Sequence, residues 1–112
     1  MKKIPTLDED QMVRVFKALA DPKRFQMLRE IAKAGELSCS QIGGRFPLSQ
    51  PAISHHLRIL YDARLLRVRE EGQHHFIAVN PRLVRGVLQA LPKLLRRRPR
   101  RSPAARRNGK KR

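Results

Sequence analysis

Apolar residues recur every three or four positions through the first half of the chain. Met12, Val15, Phe16 and Leu19 form one such stripe and predict a helix over residues 7–19. Thr6 and Glu9 fit a capping box at its start, and Asp8, Glu9 and Asp10 suit its positive end. Asp21 followed by Pro22 reads as an N-cap and first helical residue. Phe25, Leu28 and Ile31, with Met27 and Ala32 beside them, predict a second helix that Gly35 ends. Ser38 and Gln41 open a short third helix through about Phe46. Gly43-Gly44 weakens it by up to about 1 kcal/mol per glycine. Pro47 and Leu48 make a turn, and Ser49 caps a fourth helix that runs to Asp62 with Pro51 in its first turn.

After Asp62 the period falls to two. Leu66 and Val68 alternate with Arg67 and Arg69, which predicts a strand. Glu71-Gly72 reads as the turn, and His75, Ile77 and Val79 alternate with His74, Phe76 and Ala78 on a return strand. Asn80-Pro81 stops the hairpin and opens a last helix striped by Leu83, Val84, Val87, Leu88 and Leu91. Pro92 is expected to kink or end it, with Leu94-Leu95 adding at most one more turn. The fold class expected is mainly α with a small β-hairpin, in the order helix, helix, helix, helix, hairpin, helix. That order describes a winged helix-turn-helix. Residues 1–95 form the domain. Residues 96–112, RRRPRRSPAARRNGKKR, carry no apolar period and read as a disordered basic tail.

The fourth helix organises the chain. Ile53, Leu57 and Leu60 fall on one stripe and are assigned to the core. At about 100° per residue the opposite side carries Pro51, His55 and Arg58, with Ser54 nearby and Gln50 at the leading end. A polar, uncharged-to-basic face led by its N-terminus suits a DNA major groove. An ordinary amphipathic surface helix has the same apolar spacing, so the neighbouring elements decide between the two readings.

Charge sharpens the choice. The chain has 112 residues and a formal net charge of +17, which points to a polyanionic partner. Of the 26 Lys and Arg, 11 fall in residues 93–112, which hold no acid. The body is therefore mildly basic and the tail strongly so. Aromatic content of 4%, without Trp, argues against single-stranded nucleic acid, where bases stack on aromatic side chains. No apolar run approaches a membrane span, and MKKIPTLDED lacks the apolar region of a secretory signal. A single cysteine forms no internal disulfide, which fits a reducing cytoplasm.

Other chemistry is sparse. His55-His56 and His74-His75 are adjacent pairs, and adjacent residues diverge on a helix or strand, so neither is a ready bidentate metal site. By position His55 faces outward and His56 borders the core, while His75 points to the core side and His74 to solvent. Cys39 reads as a small, half-buried, inert side chain, because no resolving cysteine exists. No nucleophile elbow, phosphate-binding glycine loop or carboxylate pair suggests an enzyme.

FKALADPKRFQMLREI (residues 16–31), LSQPAISHHLRIL (48–60) and GQHHFIAVNP (72–81) resemble the ArsR/SmtB family of bacterial transcription regulators. The resemblance spans about residues 8–91. It implies a homodimer built on the first and last helices, a helix of each subunit in the major groove, and repression relieved by an effector. The chain departs from the family at its metal sites. Where arsenic- and cadmium-sensing members carry a motif like ELCVCD, residues 36–41 read ELSCSQ, so Ser38 and Ser40 replace the thiolates, and hydroxyls are poor ligands for thiophilic metals. Where zinc- and nickel-sensing members place Asp and His on the last helix, residues 81–98 hold no Asp, Glu, His or Cys. No metal or other cofactor is expected. Arg64 stands where the family usually has glycine after the Asp-Ala that ends the recognition helix, a position that strains a side chain if it needs positive φ.

Two functions follow. The first is a DNA-binding transcriptional repressor that binds double-stranded DNA as a homodimer, its effector unidentified. Ser49 would meet a phosphate, Gln50, Ser54, His55 and Arg58 would contact base edges and backbone, and Arg67, Arg69 and Gln73 of the hairpin would touch an adjacent groove or phosphate. The second is a non-specific or architectural nucleic-acid binder driven by the basic tail and the basic body. The patterned helix-turn-helix favours the first.

Overall fold

The computed structural model describes residues 7–96. Five helices and three short strands follow in the order α1 (Glu9–Leu19), α2 (Pro22–Ala34), β1 (Leu37–Ser38), α3 (Cys39–Arg45), α4 (Gln50–Asp62), β2 (Leu66–Glu71), β3 (His74–Val79) and α5 (Pro81–Leu95).

Local chemistry sets the helix starts. The Asp21 carboxylate accepts from the backbone N–H groups of Lys23 and Arg24, with Pro22 in the first turn. Ser38 and Gln41 close a reciprocal capping box at α3, through bonds of 3.1 and 2.8 Å. Ser49 caps α4 by accepting from the N–H of Ala52, and Asn80 caps α5 ahead of Pro81. At α1 the cap is Asp8, which accepts from Gln11. The box expected from Thr6 is not the cap used, and Thr6 itself lies outside the described residues.

The core gathers one face from each element: Met12, Val15 and Ala18 of α1, Met27 and Ile31 of α2, Ile42 of α3, Ile53 and Leu60 of α4, and Leu83 of α5. Several positions differ from the sequence stripes, among them Leu88, which is 65% exposed. Phe16 and Phe25 are exposed, at 42% and 48%, because Val15-Ala18 and Met27-Ile31 take the inward positions beside them. Leu57 is only partly buried, at the edge of a groove described below.

The sheet has three strands in the order β1-β3-β2, all antiparallel. The hairpin was legible, but the third strand was not. Leu37-Ser38 is two residues long, too short to show alternation, and it pairs with Ile77 and Phe76 of the central strand. The turn is Gly72-Gln73, one residue later than expected, because Glu71 still pairs with His74 and Gly72 supplies the positive φ of 61°. Helix α5 continues through Pro92 to Leu95. The carbonyl that Pro92 leaves unpaired belongs to Leu88, which is 65% exposed, so solvent can satisfy it.

Candidate nucleic-acid interface

The second helix of the helix-turn-helix is held by what precedes it. Arg24 of α2 reaches the C-terminal end of α1, donating from Nε to the Ala18 carbonyl at 2.8 Å and from Nη2 to that of Lys17 at 3.3 Å. Its Nη1 lies 3.3 Å from His56 Nδ1 of α4. Arginine has no acceptor, so in this contact the guanidinium donates and the ring nitrogen accepts. One guanidinium thus joins three helices, and the Asp21 carboxylate sits close enough to be stabilised by it. Backbone N–H donation from Arg24, then the Arg24 charge and the Lys23 backbone N–H, hold Asp21 below the usual carboxylate range.

At its other end α4 stops in a complete Schellman turn. Leu65 N–H donates to the Leu60 carbonyl at 3.0 Å and Arg64 N–H to that of Tyr61 at 2.8 Å. Arg64 is left-handed, with φ 68°, the one non-glycine residue so placed among those described. Asn80 fastens the turn, its side-chain N–H donating to the Arg64 carbonyl at 3.1 Å and its backbone N–H to that of Leu65 at 2.9 Å.

Between these fixed ends α4 presents Gln50, Ser54, His55 and Arg58 as exposed residues, with Ile53 and Leu60 buried beneath. Ser49, the cap, is exposed at the leading end. The first turn of α4 carries no acid. The wing stands beside the helix across an open groove of about 420 Å³, into which Ser54, Arg58, Tyr61, Val68 and His75 project. Tyr61, 54% exposed, is a groove residue that the sequence reading misses. A signal for it exists, since it lies seven residues after Ser54 and so on the same flank.

The wing residues do not stand alike. Gln73 occupies the hairpin turn and Arg67 is exposed on β2. Arg69 is engaged: its guanidinium donates to both oxygens of Glu36, at 3.1 and 2.9 Å, and to Glu71 at 2.9 Å. It also lies 4.6 Å from the centre of the Phe76 ring. The Arg69 hydrogen bond draws Glu36 below the usual carboxylate range, and Glu36 and then Glu71 hold Arg69 more firmly protonated.

His55 and His74 face outward as expected, and His56 is partly buried. His75 shares the Ile77 side of the sheet, yet it is exposed, because the hairpin tip extends past the core. It lies 3.9 Å from Glu70. Cys39 is exposed at the start of α3, not half-buried, since α3 turns only Ile42 into the core. The Ser38 and Ser40 hydroxyls are 3.4 Å apart, and Ser38 is committed to capping. Among the described residues no three His, Cys, Asp or Glu side chains gather where they could hold a metal ion.

A capped helix-turn-helix followed by an antiparallel wing defines a winged helix-turn-helix protein. Comparison with known proteins gives the family. Residues 21–68 match the model described as bacterial regulatory protein, arsR family. The transcriptional repressor SdpR of Bacillus subtilis (strain 168) is 38% identical over 69 residues, covering 62% of this chain and 76% of that protein. The arsenical resistance operon repressor of Staphylococcus aureus is 30% identical over 81 residues, covering 72% and 77% respectively. Among solved structures, an ArsR-like transcriptional regulator from Rhodococcus sp. RHA1 superposes with a TM-score of 0.70 at 25% identity, over 76% of this chain and 79% of that one. HlyU from Vibrio cholerae N16961 superposes with a TM-score of 0.62 at 29% identity, over 81% and 100%. The chain belongs to the ArsR family and is a DNA-binding transcriptional regulator, not an enzyme. No helix among the described residues is long and apolar enough to cross a membrane.

Proposed function

We propose that this regulator is a cytoplasmic repressor that binds an inverted-repeat operator as a homodimer, with α4 of each subunit in the major groove. The observation that carries the reading is the division of α4. Gln50, Ser54, His55 and Arg58 form one continuous exposed face led by a capped N-terminus, while Ile53 and Leu60 anchor the other side. Ser49 and the first-turn N–H groups suit a phosphate, and Gln50, Ser54, His55 and Arg58 suit base edges and the backbone beside them. Arg67, Arg69 and Gln73 extend the contact from the wing.

The dimer reading rests on apolar surface. Val13 and Phe16 of α1 and Leu88, Leu94 and Leu95 of α5 are exposed at 42–73%. An apolar surface of this kind on terminal helices is suited to a two-fold partner. Two such subunits would read half-sites about 34 Å apart, or a multiple of that. No thiophilic metal is proposed as effector, since hydroxyls replace the thiolates at Ser38 and Ser40. The basic residues beyond Arg96 are assigned sequence-independent contact with the backbone.

Substitution tests the helix face. Arg58→Ala is expected to weaken operator binding by about 1–3 kcal/mol and to relax preference at one base position. Unchanged affinity and preference would mean the face is misassigned. Sedimentation is expected to show a dimer, and a monomer at micromolar concentration with and without DNA would overturn the assembly.

A further inference from the structure

A second basic surface flanks α4 on the side away from the wing. A cleft of about 570 Å³ lies there, lined by Arg14, Lys17 and Ala18 of α1, Arg24 of α2, and Ile59 and Asp62 of α4. We infer that Arg14 and Lys17, with Arg24 behind them, contact the phosphate backbone of the duplex that α4 reads. The inference rests on the proposed docking of α4 and extends the footprint to the first helix.

Position supports it first. Ile59 and Asp62 stand four and seven residues after His55, so the cleft opens along the edge of the exposed face of α4. A duplex seated on that face brings a bordering backbone alongside α1. Helix α1 also separates Phe16 from Arg14. Met12, Val15 and Ala18 point inward, exposed Phe16 lies on one flank and Arg14 on the other, and Val13 and Lys17, four residues apart, share the outer face between them. The Arg14 side, onto which Lys17 borders, therefore stays open when the Phe16 side is covered.

Charge supports it second. Three cations face one acid, Asp62, across the cleft. Neither Arg14 nor Lys17 forms an ion pair with any described residue, although Glu30, Glu36, Glu70 and Glu71 all find partners elsewhere. Arg24 is already fixed by its bonds to Ala18, Lys17 and His56. A guanidinium has five N–H groups, so two remain for an anion without further ordering of the side chain. Asp62 repels phosphate, which confines the contact to the α1 wall.

The test uses the full chain carrying Arg14→Ala and Lys17→Ala together, since Arg24 also holds the end of α1 and its removal would disturb α4. Binding to operator and to random duplex is measured across a salt series. The slope of log K against log salt is expected to become shallower by about 0.9 for each phosphate that is no longer neutralised, up to about 1.8. Both duplexes should weaken by the same factor, and Arg14→Lys with Lys17→Arg should restore the slope. Thermal unfolding of the double variant should match the parent. An unchanged slope, while Arg58→Ala still weakens the operator, would overturn the inference and leave the α4 reading intact. If Arg58→Ala also has no effect, the α4 reading itself has failed. Heat of binding to inorganic phosphate without DNA, abolished in the double variant, would assign the cleft to a free anion and likewise overturn the inference.

Discussion

Arg64 carries a side chain in a backbone region that glycine occupies without strain. Its φ of 68° is imposed by the two hydrogen bonds of the Schellman turn and by Asn80 on its carbonyl. A left-handed conformation costs a non-glycine residue about 1–2 kcal/mol, and glycine returns about 0.5–1 kcal/mol of that through the freedom of the unfolded chain. Arg64→Gly is therefore expected to stabilise the protein by up to about 1 kcal/mol in urea unfolding, with the turn preserved. Asp21 gives a second test at this scale. Its carboxyl titrates lower in the folded protein than in the unfolded chain, chiefly because it accepts the Arg24 N–H. Such a group adds stability that is fully present above the ordinary aspartate value of about 3.9 and is lost as pH falls through the lower folded value. Asp21→Asn keeps a capping oxygen but removes the titration. The variant should lose less stability than the parent between about pH 5 and pH 2, followed by the urea midpoint at each pH.

The elements separate what a linear pattern can and cannot carry. Arg67 and Arg69 look equivalent in sequence, two arginines alternating on one strand. In the fold, Arg69 is bonded to Glu36 and Glu71 while Arg67 is exposed on the strand. Arg67→Ala should therefore weaken DNA binding more than Arg69→Ala, and Glu36→Gln should steepen the salt dependence by releasing part of the Arg69 charge. Equal losses for the two alanine variants would show that the carboxylates yield to DNA. Glu36 lies far from Arg69 in sequence, and nothing in a linear pattern brings them together. The same limit hid β1, whose two residues become a strand only because β3 offers an edge. It also hid the cleft at Arg14 and Lys17, which exists only where α1 meets α4. What was legible rested on local chemistry. Asp21-Pro22, Ser38 with Gln41, Ser49 and Asn80-Pro81 each name a helix start within a few residues, and each is used. The phases of α1 and α2 were less secure, because Phe16 and Phe25 are more apolar than the smaller residues that take the core positions beside them.

At the scale of the whole molecule, the proposed function assigns different ends to the excess of positive charge and to the geometry of α4. In the proposed function, charge supplies affinity for any duplex, whereas α4 supplies preference among duplexes. Deleting residues 96–112 should flatten the salt dependence and weaken operator and random DNA by similar factors, leaving their ratio nearly constant. A loss of preference alone would mean that this segment reads bases. The most direct test of the account is that ratio in the intact protein. Selection from a random duplex pool should recover an inverted repeat. Competition of that repeat against bulk DNA at physiological salt should then give a specificity above about a thousandfold. A ratio near one would contradict the account and make the protein a non-specific binder carried by its charge.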